Sequence, residues 1–205
     1  MIGSHLDNLF KYARYHNGVL EGELVKLRGL ELSDVEILHE YFNDPEVRRY
    51  LDGWIPYSLQ EEEDFIKNAW KQRKEGSNYV FGIVDKETGK LIGTIDIHAV
   101  SQKSRNGELG IAIGFKGYWG QGYGTDAVNT LLEWAFDQMN FHSIELWYNE
   151  FNERGKRCYE KCGFREVAKF KELHWSDGRY WDYIGMQILK KEWLKSPDQV
   201  EAKKL

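Results

Sequence analysis

The sequence predicts an α/β layered fold, a mixed central β-sheet flanked by helices. Three observations carry this reading. Short apolar runs alternate with stretches of helical periodicity in the order β-α-α-β-β-β-α-β-α-β-β. Glycine-rich or polar turns separate most of them. The 205 residues make one domain with room for a sizeable core, and no repeat or Pro/Ser-rich linker divides them.

Residues 1–22 read as an N-terminal extension, in which Leu6, Leu9, Phe10 and Ala13 have the spacing of a short amphipathic helix. Gly18 and Gly22 break the chain, and residues 23–30 alternate as a first strand. Ser33 with Glu36 predicts a capping box for a helix through Val35, Leu38, Tyr41 and Phe42, ended at Asp44-Pro45. An aromatic, irregular stretch over 48–58 follows. Ser58 then opens a second helix with Phe65, Ile66, Ala69 and Trp70 as its apolar stripe, closed by Gly76. Strands are expected over 79–84, 91–100 and 108–115, the first two joined by the turn Lys86, Glu87, Thr88, Gly89. Val128, Leu131, Leu132, Ala135, Phe136 and Met139 mark a long helix over 122–139. A strand over 143–149, a helix over 152–161 stopped at Gly163, and a hairpin of 164–173 with 179–189 complete a single domain over 23–190. Residues 191–205 read as a polar tail.

Composition narrows the function classes. A formal net charge of -5 argues against general nucleic-acid binding, which needs a basic stripe. The start lacks a cationic segment followed by an apolar run, and no apolar stretch approaches a membrane span, so the cytoplasm is the default expectation. Cys158 and Cys162 lie four apart with no second pair of ligands, so core packing is expected and no metal site. His39, His98 and His142 have no evident partner and read as structural.

Two motifs carry chemistry. The first, GYWGQGYGT over 117–125, joins a strand to the long helix. Its glycines let the backbone turn sharply, and the unpaired N–H groups of the helix start form an anion cradle suited to a pyrophosphate. No Gly-Lys-Ser/Thr follows, so it is not a Walker A loop, and the antiparallel context disfavours a dinucleotide fold. The second, NERGKRCYEKCGF over 152–164, begins a helix with Asn152 and carries Tyr159.

The pair resembles the GNAT superfamily of N-acetyltransferases, with its pyrophosphate loop (Gln/Arg)-x-x-Gly-x-(Gly/Ala) and its later Asn-x-x-(Ala/Ser)-x-x-x-Tyr-x-x-x-Gly-Phe. The phrase ELGIAIG over 108–114, with YWGQGYGTDA over 118–127, is similar to the RimJ/RimL-like branch, named for ribosomal-protein alanine acetyltransferases. Two positions depart from the pattern: Trp119 stands at the Gln/Arg position and Gly155 at the Ala/Ser position. The resemblance implies transfer of an acetyl group from acetyl-CoA, as cosubstrate, to a primary amine of a small molecule or of a peptide N-terminus.

It also implies roles. Backbone amides of Gln121, Gly122, Tyr123, Gly124 and Thr125 would hold the CoA pyrophosphate. Main-chain groups around Ala112, Ile113 and Gly114 would pair with pantetheine, and Asn152 would bond the same chain. An N–H near Ile113 would steady the oxyanion. Tyr159 would protonate the leaving thiolate. An alkyl ammonium has a pKa of about 10, so a carboxylate must help deprotonate it. Glu108, at the start of the central strand, is the first candidate, with Asp96, Glu145 and Asp182 as rivals. Tyr50, Trp54, Tyr57, Trp175, Trp181 and Asp182 are candidate walls of the amine pocket. A non-catalytic acyl-CoA sensor on the same fold and a nucleotide-phosphate protein are the alternatives. The closing hairpin is the candidate surface for a homodimer.

Overall fold

The structure, a computed structural model, describes residues 15–16, 18–51 and 55–193. The helix expected over the first residues lies outside them. Among the described residues one sheet of nine strands runs in the order β1-β2-β3-β4-β5-β6-β7-β9-β8. Its strands are β1 (Tyr15–His16), β2 (Val19–Glu21), β3 (Val25–Arg28), β4 (Tyr79–Asp85), β5 (Leu91–Ser101), β6 (Asn106–Ile113), β7 (Ser143–Asn149), β8 (Arg165–Ser176) and β9 (Arg179–Leu189).

The sheet begins before residue 23. Tyr15 pairs with Leu20 around a turn at Gly18, and Leu20 pairs with Leu27. The glycines read as breaks are therefore the turns of a small meander, and Gly18 takes a φ of 77° that favours glycine.

Helix α1 (Val35–Phe42) follows a 3-10 turn, Leu32–Asp34. The capping box there is formed by Glu31 and Asp34 and not by Ser33 and Glu36. Arg28 decides this, since its guanidinium forks onto both oxygens of Asp34 at 2.7 and 2.8 Å and fixes that carboxylate at the turn. Asp44 ends α1 and caps a further short helix, α2 (Pro45–Arg48), by accepting the N–H of Glu46. Helix α3 (Leu59–Glu75) opens at Ser58 as expected, with a capping box to Glu61, and has a left-handed Gly76 at its end. Within its stripe Ile66 and Ala69 are buried. Trp70 lies at the rim, donating Nε1–H to Leu30 O at 2.8 Å.

Helix α4 (Tyr123–Glu133) runs on as a π-helical segment, Trp134–Gln138, where one regular helix was expected. The Trp134 ring wedges against Tyr79 and Phe81, with centroids 5.3 and 5.4 Å away. Helix α5 (Glu153–Lys161) precedes the last hairpin, and α6 (Lys190–Trp193) buries Trp193 on Phe136. The domain thus reaches past 190, into what read as tail.

Helices cover both faces. One core joins Leu27, Ile95, Leu131, Phe136 and Ile144 under α4 and α5. The other joins Leu38, Tyr41, Ile66 and Val80 under α1 and α3. No helix among the described residues is long and apolar enough to cross a membrane.

One discontinuity positions the site. Strands β6 and β7 are parallel and pair only at Asn106 with Ser143, Gly107 with Ile144, and Glu108 with Glu145. Beyond Glu108 the two strands part, and the second half of each is left facing a gap.

Candidate active site

The gap opens into a cavity of about 520 Å³. Its walls come from β6 (Glu108 to Ile113), from β7 (Trp147, Tyr148, Asn149), from the glycine-rich loop, from α5, and from the α2 end of the first helical layer. The cavity therefore collects both sequence motifs, one on each side.

The loop is built as its glycines require. Gly120 and Gly122 have φ of 74° and 96°, the left-handed region. Gly122 is the N-cap of α4, so the first-turn N–H groups of that helix have no partner within it and aim outward with the positive end of the helix dipole. Gly120, Gly122, Gly124 and Thr125 line the cavity. A Cβ on Gly124 would meet Cys158 Sγ at 3.6 Å, so α5 sits close against the loop. The side chains of Gln121 and Tyr123 turn away. Gln121 bonds Gly117 O, and the Tyr123 hydroxyl reaches Asp85 at 3.4 Å. What these two residues can offer a ligand is main chain. Trp119, at the departing Gln/Arg position, donates Nε1–H to Ile113 O at 2.7 Å, and the Arg154 guanidinium lies 3.7 Å over its ring.

The free edge of β6 differs in detail from the expectation. Gly114 N–H bonds back to Ile92 O at 2.8 Å. Alternation then turns the main-chain groups of Ala112, like those of Gly114, toward β5, and those of Ile111 and Ile113 toward the gap. Ile113 thus turns its main chain toward the gap, with its carbonyl taken by Trp119, whereas Gly114 and Ala112 are not free main-chain partners. Gly114 has another reason to be glycine, because a Cβ there would run into the ring of Tyr41.

On the opposite wall, Asn152 caps α5 by accepting Gly155 N–H at 2.9 Å, and its amide lines the cavity. Gly155 leaves room for this cap, since a Cβ there would lie 2.6 Å from Asn152 Nδ2 and shift that side chain. Tyr159 also lines the cavity and is 7% exposed, between the rings of Tyr148 and Phe164. Burial pushes its phenol well above the ordinary range, so at neutral pH it carries its proton. Asn149, to which the sequence reading gave a place on β7 but no role, is 4% exposed with a buried Oδ1 that has no hydrogen-bond partner. Cys158 and Cys162 pack α5 on α4 through Thr125, with Sγ contacts of 3.5 and 3.6 Å.

Glu108 opens into the cavity, and it is not alone. Its carboxylate lies 3.3 Å from His98 Nε2, and His98 Nδ1 lies 2.8 Å from Asp96 Oδ2. His98 was read as a histidine without a partner, but it stands between two carboxylates. The hydrogen bond it donates to Asp96 holds its imidazole above the ordinary value, with Glu108 adding to this against the effect of burial. Asp96 is thereby engaged. Glu145 stands beside Glu108 in the sheet without lining the cavity.

The expected amine pocket is partly corrected. Tyr50 lines the cavity, edge-on to Trp119 at 6.0 Å. Trp54 lies outside the described residues. Asp182 is taken by Lys169 at 2.7 Å and by Glu172 N–H, which hold its carboxyl below the usual range. Trp181 packs on Phe151 and bonds Ser176 O, while Trp175 and Tyr57 are exposed; none of these is among the cavity walls. The walls that take their place are Val47, Leu51, Trp147 and Tyr183. Trp147 and Tyr183 stack at 13°, and Gly185 makes room for them, since a Cβ there would sit 2.7 Å from the indole.

The model of the acetyltransferase (GNAT) domain family matches residues 25–165, which span both motifs and the cavity between them. The chain belongs to the GNAT acetyltransferase family. Among its relatives, the uncharacterized N-acetyltransferase YnaD of Bacillus subtilis is 30% identical over 82% of this chain and 94% of its own. The spermidine N(1)-acetyltransferase of Vibrio cholerae is 28% identical, again over 82% of this chain and 94% of its own. The crystal structure of that species' spermidine N-acetyltransferase in complex with CoA and spermine superimposes with a TM-score of 0.74 at 28% identity, covering 84% of this chain and 99% of that one. A ribosomal-protein-S5-alanine acetyltransferase from Vibrio fischeri shares the fold, with a TM-score of 0.75 at 22% identity, 85% coverage of this chain and 98% of that one. This GNAT protein is an N-acetyltransferase by family, domain and fold.

Proposed function

We propose that this N-acetyltransferase takes its acetyl group from acetyl-CoA and passes it directly to the primary amine of a small cationic molecule. The observation that carries the reading is the split between β6 and β7, with the anion cradle at one side and Glu108 at the other. The protein's own groups fit such a ligand. The loop offers amides for a diphosphate, Asn149 Oδ1 offers a buried acceptor for an amide N–H, and the gap-facing edge of β6 offers the main chain of Ile111 and the N–H of Ile113.

In the reaction, the N–H groups of 121–125 anchor the diphosphate, and the edge of β6 near Ile113 stabilises charge growing on the carbonyl oxygen. Glu108 meets the ammonium and draws off a proton, and the freed lone pair attacks the thioester carbon. Tyr159 donates its phenolic proton to the departing thiolate and regains one from solvent. A thiolate leaves more readily than an alkoxide, so a weak acid suffices.

A small cation has better support than a peptide N-terminus. Glu108 lines the acceptor end with His98, which Asp96 backs, aromatic rings of Tyr50, Trp147 and Tyr183 line the same cavity, and a relative carries the name of a spermidine acetyltransferase. The exposed Val167, Leu173 and Trp175 of the last hairpin support pairing of two copies there. The deciding experiment is thiol release from acetyl-CoA with a panel of amines that includes spermidine and an alanine-terminated peptide. CoA binding measured by calorimetry with no release for any amine would favour the sensor alternative. No CoA binding would refute both readings.

A further inference from the structure

We infer that His98, oriented by Asp96, is the proton acceptor behind Glu108 in the acetyl transfer. This deepens the proposed reaction and rests on it. Three side chains form an unbroken line across two strands: Asp96 Oδ2 to His98 Nδ1 at 2.8 Å, then His98 Nε2 to Glu108 Oε1 at 3.3 Å. The sheet register builds it. Asp96 and His98 are two apart on β5 and so share a face, and His98 is the direct cross-strand partner of Glu108 on β6. The backbone is shaped for it too. A Cβ on Gly110 would sit 2.6 Å from Asp96 Oδ1, so glycine at 110 leaves the carboxylate its place.

The chemistry asks for such a group. A lone carboxylate titrates about six units below an alkyl ammonium, and it holds an abstracted proton poorly at neutral pH. An ordinary imidazole closes about a third of that difference, and the carboxylates beside His98 raise it further. With Nδ1–H donated to Asp96, the lone pair of Nε2 is directed at Glu108. The steps then balance. The ammonium N–H bond breaks and its proton passes to the Glu108 carboxyl. Glu108 passes a proton from Oε1 to His98 Nε2, the carboxylate is restored, and the nitrogen lone pair attacks. The imidazolium rests between two carboxylates until it releases its proton to solvent, for which its side chain is 39% exposed.

The charged groups acting on His98 are Asp96 from its own strand and Glu108 from β6. On β4 the partner of Asp96 is the apolar Val80, and on β7 Glu145 stands beside Glu108. From α1 the group that reaches β5 is Tyr41, whose hydroxyl lies 3.4 Å from Thr94.

The test measures kcat against pH at saturating acetyl-CoA and spermidine, for the wild type, His98→Gln and Asp96→Asn. Wild-type kcat should rise with pH through a limb above the ordinary imidazole value. Asp96→Asn should move that limb down by about one pH unit, because the carboxylate that raises His98 is lost. His98→Gln should lose the limb and about 100-fold in kcat while the KM for acetyl-CoA stays within about twofold. CoA calorimetry and thermal melts verify that both variants fold. A His98→Gln enzyme with wild-type kcat and an unmoved limb overturns the inference. So does an equal loss in both variants that leaves the limb where it was, since that is what a merely structural histidine produces. If wild type releases no thiol with any amine, the transfer reading falls and this inference falls with it.

Discussion

The carboxylate of Asp126 fills the space that a side chain at residue 22 would need. A Cβ built on Gly22 runs into Oδ2 and lies 2.9 Å from Cγ. The same carboxylate accepts the N–H groups of Glu23, Leu24 and Val25 at 3.0, 2.8 and 2.9 Å. The turn between β2 and β3 is thereby bolted to the first turn of α4, one residue past Thr125 of the anion cradle. Gly22→Ala should destabilise the protein by about 1–3 kcal/mol, and Asp126→Ala by a similar amount through three orphaned donors. Both should raise the KM for acetyl-CoA. The double variant should lose less than the sum, by chemical denaturation. Strict additivity would mean that the two residues do not share one contact.

Gly122 should tolerate substitution far less than its neighbour Gln121. A φ of 96° costs a β-branched residue roughly 1–3 kcal/mol, and the strain falls on the amides that grip the diphosphate. Gly122→Val should weaken CoA binding by about tenfold or more. Gln121→Ala, whose side chain points at Gly117 O, should stay within about threefold. Calorimetry with CoA reads both.

Tyr159→Phe removes a proton donor and little packing, because the ring keeps its place between Tyr148 and Phe164. Turnover should fall by about 10- to 100-fold with CoA affinity nearly unchanged. Undiminished turnover would strike out the acid role.

Glu62, on the inner side of α3, is 3% exposed, and burial pushes its carboxyl up to about 7 from an ordinary 4.5, with Glu61 adding repulsion. The folded protein therefore binds this proton more tightly than the unfolded chain. Its contribution to stability is complete below about pH 4.5 and is lost as pH rises through about 7. Glu62→Gln should flatten that slope and, at pH 8, exceed the wild type by roughly 1 kcal/mol. Urea midpoints at pH 5 and pH 8 decide it. A variant that is less stable at pH 8 would contradict the burial argument.

Much of this was legible where the signal is local. Ser58 and Gly76 bracket α3 in the sequence as they do in space, because caps act within one turn. The glycine-rich loop and Asn152 are likewise short-range devices. What escaped depends on pairing across distance. Asp34 is claimed by Arg28, so the cap of the first helical turn moves off Ser33. Asp182 is claimed by Lys169 across the last hairpin and turns from candidate base into a scaffold contact. His98 gains meaning only once β5 and β6 are set in register. A signal was present, however, since an Asp two residues before a His on a predicted strand puts both on one face.

The sheet is stitched at its centre by three residue pairs between β6 and β7. Mechanically, it is two plates on a short seam, and anything that bonds to both lips of the opening acts as a splint. Loading with acetyl-CoA should then stiffen the whole plate assembly: amides of β5 and β9, the strands behind each lip, should exchange with deuterium more slowly as the seam is lengthened.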